Sequence, residues 1–284
     1  MKIKIAIQKK GRLSEKSLNL FKECGIRFEN GIGNLKMSAT NFPLEVLLLR
    51  DDDIPQYVEA GVADLGIVGQ NVVWEKTDNV DEIRRLGYGK CRLSIAVDKN
   101  YNYTSIANIE NLQIATSYPN ILRKFLEKNG AKAKIHKISG SVEIAPGIGL
   151  ANAVCDIVST GSTLTLNGLK EVETVLKSEA VLIATKNLPA EKQAVLDKLL
   201  FRMNAVQKAK DNKYILLNAP NDKVETISNI LPGMKSPTIV PLKEEGWSSI
   251  HSVINENDFW EVIEQLKKVG AQGILVMPIE KMII

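Results

Sequence analysis

Residues 156–164 constrain the fold and the chemistry of this chain more than any other stretch of its sequence. An apolar run from Ala153 leads into Asp156, and a turn rich in hydroxyl side chains follows around Gly161. This order predicts the end of a strand, a tight loop and the start of a helix that continues through residues 166–175. Glycine lets the backbone approach a ligand closely, and hydroxyls and free N–H groups at a helix N-terminus bind anions. The pattern therefore indicates a phosphate-binding loop.

A second interpretation of the same residues is structural. Asp, Ser and Thr are ordinary helix N-caps, because their side-chain oxygens accept the first unpaired N–H groups of a helix. If the loop does bind a phosphate, Asp156 carries the wrong charge to contact it. A ligand role for Asp156 is then to accept hydrogen bonds from sugar hydroxyls or to hold a metal ion. Phosphate and hydroxyl groups together indicate a phosphosugar substrate.

A longer pattern leads into this loop and continues through it. Its positions are filled by Glu143, Gly149, Ala151, Val154, Asp156, Ile157, Thr160, Gly161, Thr163 and Leu164. In these positions the chain resembles the signature of ATP phosphoribosyltransferases. Residues 6–13, 49–55, 63–69, 91–94 and 115–119 also resemble segments of that family, with the order, spacing and chain length of its long form. One departure is Asn34, because related sequences often carry an arginine there; Lys36 is the nearest cation.

The resemblance implies an enzyme of histidine biosynthesis. Members of the family join ATP to 5-phosphoribosyl 1-pyrophosphate, which gives N1-(5-phosphoribosyl)-ATP and pyrophosphate, and L-histidine inhibits this first step. The resemblance also implies Mg²⁺ that is bound mainly through substrate phosphates, with Glu143 and Asp156 as candidate protein ligands. For the assembly it implies a homo-hexamer with dimer forms.

The site residues are assigned on this resemblance. The phosphoribosyl donor is assigned to Glu143, Asp156, Ser159, Thr160, Gly161, Ser162 and Thr163. The catalytic cations, which stabilise the pyrophosphate and the ATP phosphates, are Lys9, Arg12 and Arg50, and the nucleotide is assigned to Gln8, Arg92 and Tyr118. Arg50 also follows an apolar strand, at the position where open α/β sheets bind ligands. For each arginine a surface ion pair is the alternative.

Hydrophobic periodicity predicts an α/β architecture. Strand patterns occupy residues 3–8, 45–49, 64–68, 93–97, 113–116 and 180–184, and helical patterns such as 14–24 lie between them. We expect the chain to cross into a second lobe near residue 91 and to return near residue 178. Lobe I would comprise residues 1–91 and 178–210, and lobe II residues 92–177. By resemblance, the two lobes have the topology of type II periplasmic binding proteins.

Residues 211–284 follow a different pattern. Strands are predicted at 213–219, 238–242, 249–254 and 273–279, and helices at 222–231 and 256–269. This β-α-β-β-α-β order predicts a ferredoxin-like domain. By resemblance it senses histidine, with an effector site in residues 232–238 and with the candidate residues Asn218, Ser236, Thr238, Val253 and Gly273. The alternative for residues 232–238 is a plain loop between a helix and a strand.

Composition excludes several other classes of protein. A net charge of +4 on scattered lysines argues against nucleic-acid binding, and no run approaches the ~18 apolar residues of a membrane helix. Cys24, Cys91 and Cys155 are unpatterned, and the chain has only two histidines, so neither a disulfide framework nor a zinc site is predicted. The alternating residues 1–6 predict a strand rather than a signal peptide, which favours a cytoplasmic protein.

Two other functions are compatible with the predicted lobe topology. A solute-binding module would share the lobe topology but would not need a phosphate loop. A catalytically silent regulatory paralogue would lack site residues, and only Asn34 suggests such a loss.

Within residues 51–53, the spacing of Asp53 and Gln56 predicts a helix-capping pair.

Overall fold

The computed structural model describes residues 2–29, 35–231 and 236–283. Its strands are β1 (Ile3–Gln8), β2 (Lys36–Ser38), β3 (Leu44–Leu49), β4 (Leu65–Gly69), β5 (Val80–Arg85), β6 (Cys91–Asp98), β7 (Gln113–Thr116), β8 (Lys134–Lys137), β9 (Ala153–Val158), β10 (Leu169–Ser178), β11 (Ala180–Thr185), β12 (Asn212–Pro220), β13 (Thr238–Pro241), β14 (Trp247–Asn255) and β15 (Gln272–Pro278). Its α-helices are α1 (Arg12–Glu23), α2 (Ile54–Glu59), α3 (Gln70–Lys76), α4 (Pro119–Lys128), α5 (Ser162–Leu166), α6 (Ala190–Lys210), α7 (Val224–Ile230) and α8 (Glu256–Lys268).

The chain forms two compact units. The first comprises Met1–Phe21 and Ile26–Gln193, and the second comprises Lys22–Gly25 and Ala194–Ile284. The division after Gln193 falls inside α6, whereas the sequence places the start of the last domain at residue 211. The predicted lobe and domain boundaries therefore stay predictions. Within the described ranges, no helix combines the length and the apolar content needed to cross a bilayer.

The first sheet of the first unit has the strand order β2-β3-β1-β4-β11-β5. Strand β1 runs parallel to β3 and β4, and its side chains Ile3, Ile5 and Ile7 are fully buried. Because parallel strands end at the same edge of a sheet, the residues that follow β1, β3 and β4 are brought together there. This edge is one wall of the candidate site.

The second sheet of the first unit has the strand order β10-β6-β9-β7-β8. Strands β7, β8 and β9 are parallel, and β6 runs antiparallel to both β9 and β10. The chain passes from the first sheet to the second between β5 and β6, and it returns between β10 and β11. Two mixed sheets with helices between their strands confirm the predicted α/β class.

Residues 63–69 contribute mainly to packing in this fold. Asp64 is buried; its carboxylate accepts hydrogen bonds from Lys192 Nζ at 2.6 Å and from Lys4 N at 2.8 Å. A Cβ atom at Gly66 would lie 2.7 Å from Ile54 Cγ2, so only glycine lets α2 pack directly on β4. This segment therefore supports the site through the core of the sheet.

Two predictions about local structure were wrong. The helix predicted through residues 166–175 ends at Leu166, and β10 begins at Leu169 because this segment pairs antiparallel with β6. Asp53 occupies the N-cap position of α2 but makes no capping hydrogen bond. Its helical φ and ψ of −90° and −22° continue the preceding 3₁₀ turn, whereas a capping side chain needs an extended backbone.

The second unit contains the predicted β-α-β-β-α-β arrangement. Its sheet has the order β13-β14-β12-β15, with antiparallel neighbours throughout, which confirms the ferredoxin-like prediction. One face of the sheet packs against α7 and α8 through a core that includes Ile215, Leu217, Ile250, Phe259 and Leu266. Because successive residues of a strand point to opposite faces, the alternate residues of β12 and β14 lie on the other face.

Candidate active site

Lys9, Arg12 and Arg50 surround one edge of the first sheet. Lys9 follows β1 and its backbone N–H donates to Leu49 O at 2.7 Å, which places it beside the end of β3, where Arg50 follows. Arg12 begins α1 two residues after Lys10. All three cationic residues are exposed, and Gln8 beside them is partly buried. In the part of the chain that the structure describes, no ion pair engages these three side chains, so they are available to an anionic ligand.

The hydroxyl-rich turn lies at the corresponding edge of the second sheet. Strand β9 ends at Val158 and α5 begins at Ser162, with Gly161 in the left-handed conformation at φ +86°. The Oγ1 atom of Thr160 and the Oγ atom of Ser162 are 3.1 Å apart, within hydrogen-bond distance. Ser159, Thr160, Ser162 and Thr163 are exposed. The turn therefore presents hydroxyls and backbone N–H groups to solvent, as an anion site requires.

Asp156 and Glu143 place two carboxylates beside this turn. Asp156 lies in β9 and Glu143 in the short 3₁₀ helix Val142–Ile144. Burial raises the pKa of Asp156, the Ile157 N–H lowers it, and the charge of Glu143 raises it further. A divalent cation near the pair would relieve this repulsion. Because Mg²⁺ needs only one or two carboxylates when substrate phosphates complete its coordination, the two residues fit such an ion.

We expect Asp156→Asn to raise the melting temperature at neutral pH. The folded protein disfavours the ionised carboxylate, because its pKa is raised above the unfolded value. The stability contributed by this group is therefore fully present below about pH 3.9, the ordinary aspartate pKa, and is lost as the pH rises through the folded pKa. Asparagine removes that loss, so the gain should be largest near pH 7 and should shrink towards pH 4.

Thermal unfolding at several pH values tests this expectation. Asp81→Asn, at an exposed aspartate of β5, is the matched control and should give no comparable gain. An Asp156→Asn protein that melts at or below the wild-type temperature at pH 7 would contradict the electrostatic interpretation.

Arg92 holds the beginning of the hydroxyl-rich turn. Its guanidinium donates from Nε and Nη2 to the two carboxylate oxygens of Glu171, at 2.5 and 2.6 Å, and from Nη1 to Ser159 O at 3.3 Å. The Ser94 hydroxyl also donates to Glu171, at 2.7 Å, and the Arg92 guanidinium holds the pKa of Glu171 below its usual value. The nucleotide role of Arg92 stays a prediction. Glu171 was missed because its partner is brought to it by the pairing of β10 with β6.

Hydrogen bonds connect Tyr118 to α3 and, through Asn71, to the last residue of β10. Asn71 Nδ2 donates to the Tyr118 hydroxyl at 3.0 Å, and Ser178 Oγ donates to Asn71 Oδ1 at 2.8 Å. The Asn71 N–H donates to Ser178 Oγ at 3.1 Å. Burial and the nearby charge of Asp156 raise the pKa of Tyr118. The phenol of Tyr118 is thus held against α3 by its hydrogen bond with Asn71.

A second connection joins α3 to the N-terminus of α4. The buried carboxylate of Glu75 accepts the N–H groups of Asn120 and Ile121 at 3.0–3.1 Å. Glu75 O also accepts from Asn120 Nδ2 at 3.0 Å. A carboxylate in this place satisfies unpaired N–H groups and interacts favourably with the helix dipole. Sequence reasoning missed Glu75, because a cap from a distant helix leaves no local pattern.

The candidate effector residues lie in the second unit but do not converge on one point. Asn218, Thr238 and Val253 share the sheet face opposite the core, since Asn218 pairs with Ser249 and Thr238 with His251. Thr238 belongs to one edge strand and Gly273 to the other. At the usual spacing of neighbouring strands, the two edge strands are about 14 Å apart.

Further polar groups lie near the candidate effector residues of the second unit. Ser236 is exposed, and the rest of the predicted segment, 232–235, lies outside the described residues. On the same face the sequence interpretation missed a polar cluster: the Tyr214 hydroxyl lies 2.7 Å from His251 Nδ1, and Ser249 Oγ lies 3.0 Å from His251 Nε2.

Comparisons with known sequences give the relatives of this chain. Profiles described as ATP phosphoribosyltransferase and as HisG, C-terminal domain match residues 50–205 and 209–281. An ATP phosphoribosyltransferase from Cytophaga hutchinsonii is 59% identical over 281 residues, which cover 99% of this chain and 98% of that protein. Another, from Bacteroides thetaiotaomicron, is 58% identical over 282 residues, which cover 99% of this chain and 100% of that protein.

Solved structures show a similar fold over most of the chain. A chain of the ATP phosphoribosyl transferase (HisG:HisZ) complex from Thermotoga maritima matches with a TM-score of 0.60 and 27% identity, over 71% of this chain and 98% of that chain. The substrate binding protein of an amino acid ABC transporter matches with a TM-score of 0.51 and 12% identity, over 74% of this chain and 94% of that chain. The second likeness concerns the fold alone, and it agrees with the predicted periplasmic-binding-protein-like topology.

Proposed function

This chain belongs to the ATP phosphoribosyltransferase family, and from that premise we propose how its residues catalyse the first step of histidine biosynthesis. In that step, N1 of ATP attacks the anomeric carbon of 5-phosphoribosyl 1-pyrophosphate, and pyrophosphate leaves. Adenine N1 carries no proton at neutral pH, so the site needs no strong base. Catalysis then depends on positioning and on stabilising the charge of the leaving group.

The donor binds at the turn after β9. The exposed turn around Gly161, with its left-handed backbone, is the observation that carries this assignment. Ser159, Thr160, Ser162 and Thr163 would hold the 5-phosphate through hydroxyls and N–H groups. Asp156 and Glu143 would accept hydrogen bonds from the ribose hydroxyls or hold Mg²⁺. When bound, that ion supplies charge neutralisation on the phosphates.

The cationic edge of the first sheet receives the other phosphates. Lys9, Arg12 and Arg50 would stabilise the negative charge that develops on the departing pyrophosphate and would hold the ATP phosphates. Gln8, Arg92 and Tyr118 would contact the nucleotide, with Arg92 also positioning Ser159. The two edges thus present anion-binding groups for a donor and an acceptor that both carry phosphates.

The relatives decide between this function and its alternatives. Full-length relatives named ATP phosphoribosyltransferase favour the enzyme over a solute-binding module or a silent regulatory paralogue. The direct test is pyrophosphate release from ATP and 5-phosphoribosyl 1-pyrophosphate, with and without Mg²⁺ and with and without histidine. Absence of pyrophosphate release under all these conditions would remove the proposed activity.

For the second unit, regulation by histidine is the proposed role. Asn218, Thr238 and Val253 share one sheet face, and Gly273 lies on the far edge strand, so we propose that a second copy of the unit completes a compact histidine site there. A cytoplasmic homo-hexamer that also forms dimers would supply such contacts. Asn34 lies outside the described residues. The pyrophosphate-release assay tests whether a chain with asparagine at this position is active.

We expect the double variant Ser236→Val and Thr238→Val to relieve histidine inhibition while leaving uninhibited turnover within about twofold. Valine removes two exposed hydroxyls from the proposed effector site, and the phosphate turn lies in the other unit. Reciprocity also requires that substrate and histidine change each other's binding by the same factor. Activity and calorimetry with histidine measure both effects.

Thr226→Val, on the exposed surface of α7, is the control for this pair. It should remain as sensitive to histidine as the wild type. Full inhibition of the double variant, or no histidine binding to the wild type, would contradict the effector assignment.

A further inference from the structure

A cavity of about 520 Å³ lies where α3, α4 and β10 meet in the first unit. Its volume is in the range of small-molecule sites in proteins. None of the residues proposed to bind the donor, the nucleotide or the pyrophosphate belongs to its lining. The cavity is therefore separate from the proposed active site.

One wall of the cavity is a face of α4. Ile121, Lys124, Phe125 and Lys128 are spaced i, i+3, i+4 and i+7, so they project from the same side of that helix. Ile121 is buried and Phe125 is partly buried, whereas both lysines are exposed. This spacing places two ammonium groups beside an apolar surface.

Strand β10 supplies another apolar wall through an irregularity in its pairing. Thr174 lies opposite Ser94 and Leu176 lies opposite Leu93, so Val175 is an additional residue on β10. Successive residues of a regular strand point to opposite faces, whereas an additional residue makes a bulge that redirects the side chains. Val175 and Leu176, which are neighbours in the chain, consequently both line the cavity.

Trp74 of α3 and Phe125 of α4 give the cavity its aromatic character. Trp74 is 41% exposed although it lines this cavity. In the part of the chain that the structure describes, neither ring pairs with another aromatic ring. Aromatic rings attract each other in stacked or edge-to-face arrangements. The cavity thus offers two aromatic side chains to a flat, apolar ligand.

The charges at the cavity leave one cation without a partner. Lys124 Nζ lies 4.0 Å from Asp78 Oδ2, so these two charges compensate each other. Within residues 2–29, 35–231 and 236–283, no ion pair engages Lys128. Asn129 also lines the cavity, and its Nδ2 donates to Phe125 O at 2.8 Å. Two lysines and one aspartate therefore give the lining a net charge of +1.

We propose that this cavity binds a small aromatic carboxylate, with its ring against Trp74 and Phe125 and its carboxylate at Lys128. One negative charge matches the single excess cation, whereas a phosphate brings a second negative charge close to Asp78. An ammonium group only donates hydrogen bonds, so Lys128 favours a carboxylate over a neutral amide and repels an amine. This site is additional to the proposed reaction, which involves none of these residues.

Calorimetry on the full-length protein with four probes tests the proposal. Indole-3-acetate has the ring and the carboxylate, and indole-3-acetamide has the same ring without the charge. Tryptamine has an ammonium group instead, and hexanoate has a carboxylate without a ring. We expect indole-3-acetate to bind about 10-fold more tightly than the amide or hexanoate, because the charge-assisted hydrogen bond and the ring contact both contribute. Tryptamine should bind most weakly.

Variants at Lys128 test the position of the carboxylate. Lys128→Gln should remove the preference for indole-3-acetate over the amide, and Lys128→Arg should keep it, since arginine retains the charge. Lys22→Gln is the matched control, because Lys22 also occupies the last turn of a helix, α1, but lies outside the cavity. It should bind indole-3-acetate within about twofold of wild type, as expected for a surface substitution.

A variant at Trp74 tests the position of the ring. Trp74→Ala should weaken indole-3-acetate binding by about 10-fold and change hexanoate binding much less, because only the first probe has a ring to pair with the indole. Trp260→Ala, at an exposed tryptophan of α8 outside the cavity, is the control and should leave the binding of both probes unchanged.

Several results would overturn the proposal. One is that the wild type does not bind indole-3-acetate, or binds it no better than the amide. Another is binding that neither Lys128→Gln nor Trp74→Ala weakens, because the ligand then occupies a different site. If a second copy of the chain covers the cavity instead, Trp74→Ala changes the sedimentation coefficient and indole-3-acetate does not bind. None of these measurements depends on turnover, so their outcome is independent of the proposed activity.

Discussion

Replacing Gly161 with valine is expected to lower kcat/KM for the phosphoribosyl donor on the order of 1,000-fold or more, through loss of the proposed phosphate contacts. Gly161 has a φ of +86°, a conformation that β-branched residues rarely adopt. An added Cβ would meet only Val158 Cγ1, at 3.8 Å, so the substitution fits the space but not the backbone. The turn must therefore change conformation, and its N–H groups move away from the phosphate.

The control for this variant is Gly130→Val. Gly130 also has a positive φ, +66°, and an added Cβ meets nothing within 4 Å, but it follows α4, away from the turn. It should lose stability by a similar amount and keep its turnover. Thr160→Ala should also lose activity, because it removes a hydroxyl of the turn. A folded Gly161→Val protein with near-wild-type donor affinity and turnover would contradict the assignment of the turn.

Local patterns predicted where the hydroxyl-rich turn lies in the fold. The turn after β9 could be located because apolar residues, one acid and a glycine between hydroxyl residues fix a strand end and a turn within a few positions. The same logic failed just beyond Leu166, where the sequence predicts a helix and the structure has β10. That segment forms a strand because β6 lies beside it, and a single sequence does not show which strand will be its neighbour.

The supporting contacts could not be predicted, because they depend on tertiary structure. Glu171 binds Arg92 across a strand pair, Glu75 caps a helix of the other sheet, and Asn71 meets Ser178, which is 107 positions away. Glu171, Glu75 and Asn71 belong to no local sequence motif. Their common effect is to hold Ser159 and Tyr118 in place, so local motifs indicated the proposed binding residues but not the residues that position them.

In the second unit, periodicity predicted the fold better than it predicted a site. The strands predicted at residues 213–219 and 249–254 correspond to β12 and β14. The sequence did not show that Thr238 and Gly273 would lie on opposite edge strands. Residues that a motif comparison groups together can thus require a neighbouring copy before they form one site.

A variant at Arg50 can distinguish an effect on the rate of the chemical step from an effect on substrate binding. It follows β3 at the edge where β1 and β4 also end, and its side chain is exposed. Its backbone carbonyl accepts the Asp53 N–H at 3.1 Å, so the turn that carries it is anchored without help from the guanidinium. Truncation of the side chain should therefore leave the fold intact.

We expect Arg50→Ala to lower the single-turnover rate by on the order of 100-fold, with a much smaller change in substrate affinity, because the leaving pyrophosphate gains charge only as the transition state forms. Arg50→Lys should recover part of the rate, since it keeps the charge and loses the planar fork. Arg123→Ala, at an exposed arginine of α4, controls for the loss of one surface cation and should be nearly neutral. Rapid-quench measurement with saturating ATP and donor gives the rate, and equilibrium binding gives the affinities. An unchanged single-turnover rate would place Arg50 among the surface cations, and an equal loss of rate and affinity would assign it to ground-state binding rather than to stabilisation of the leaving group.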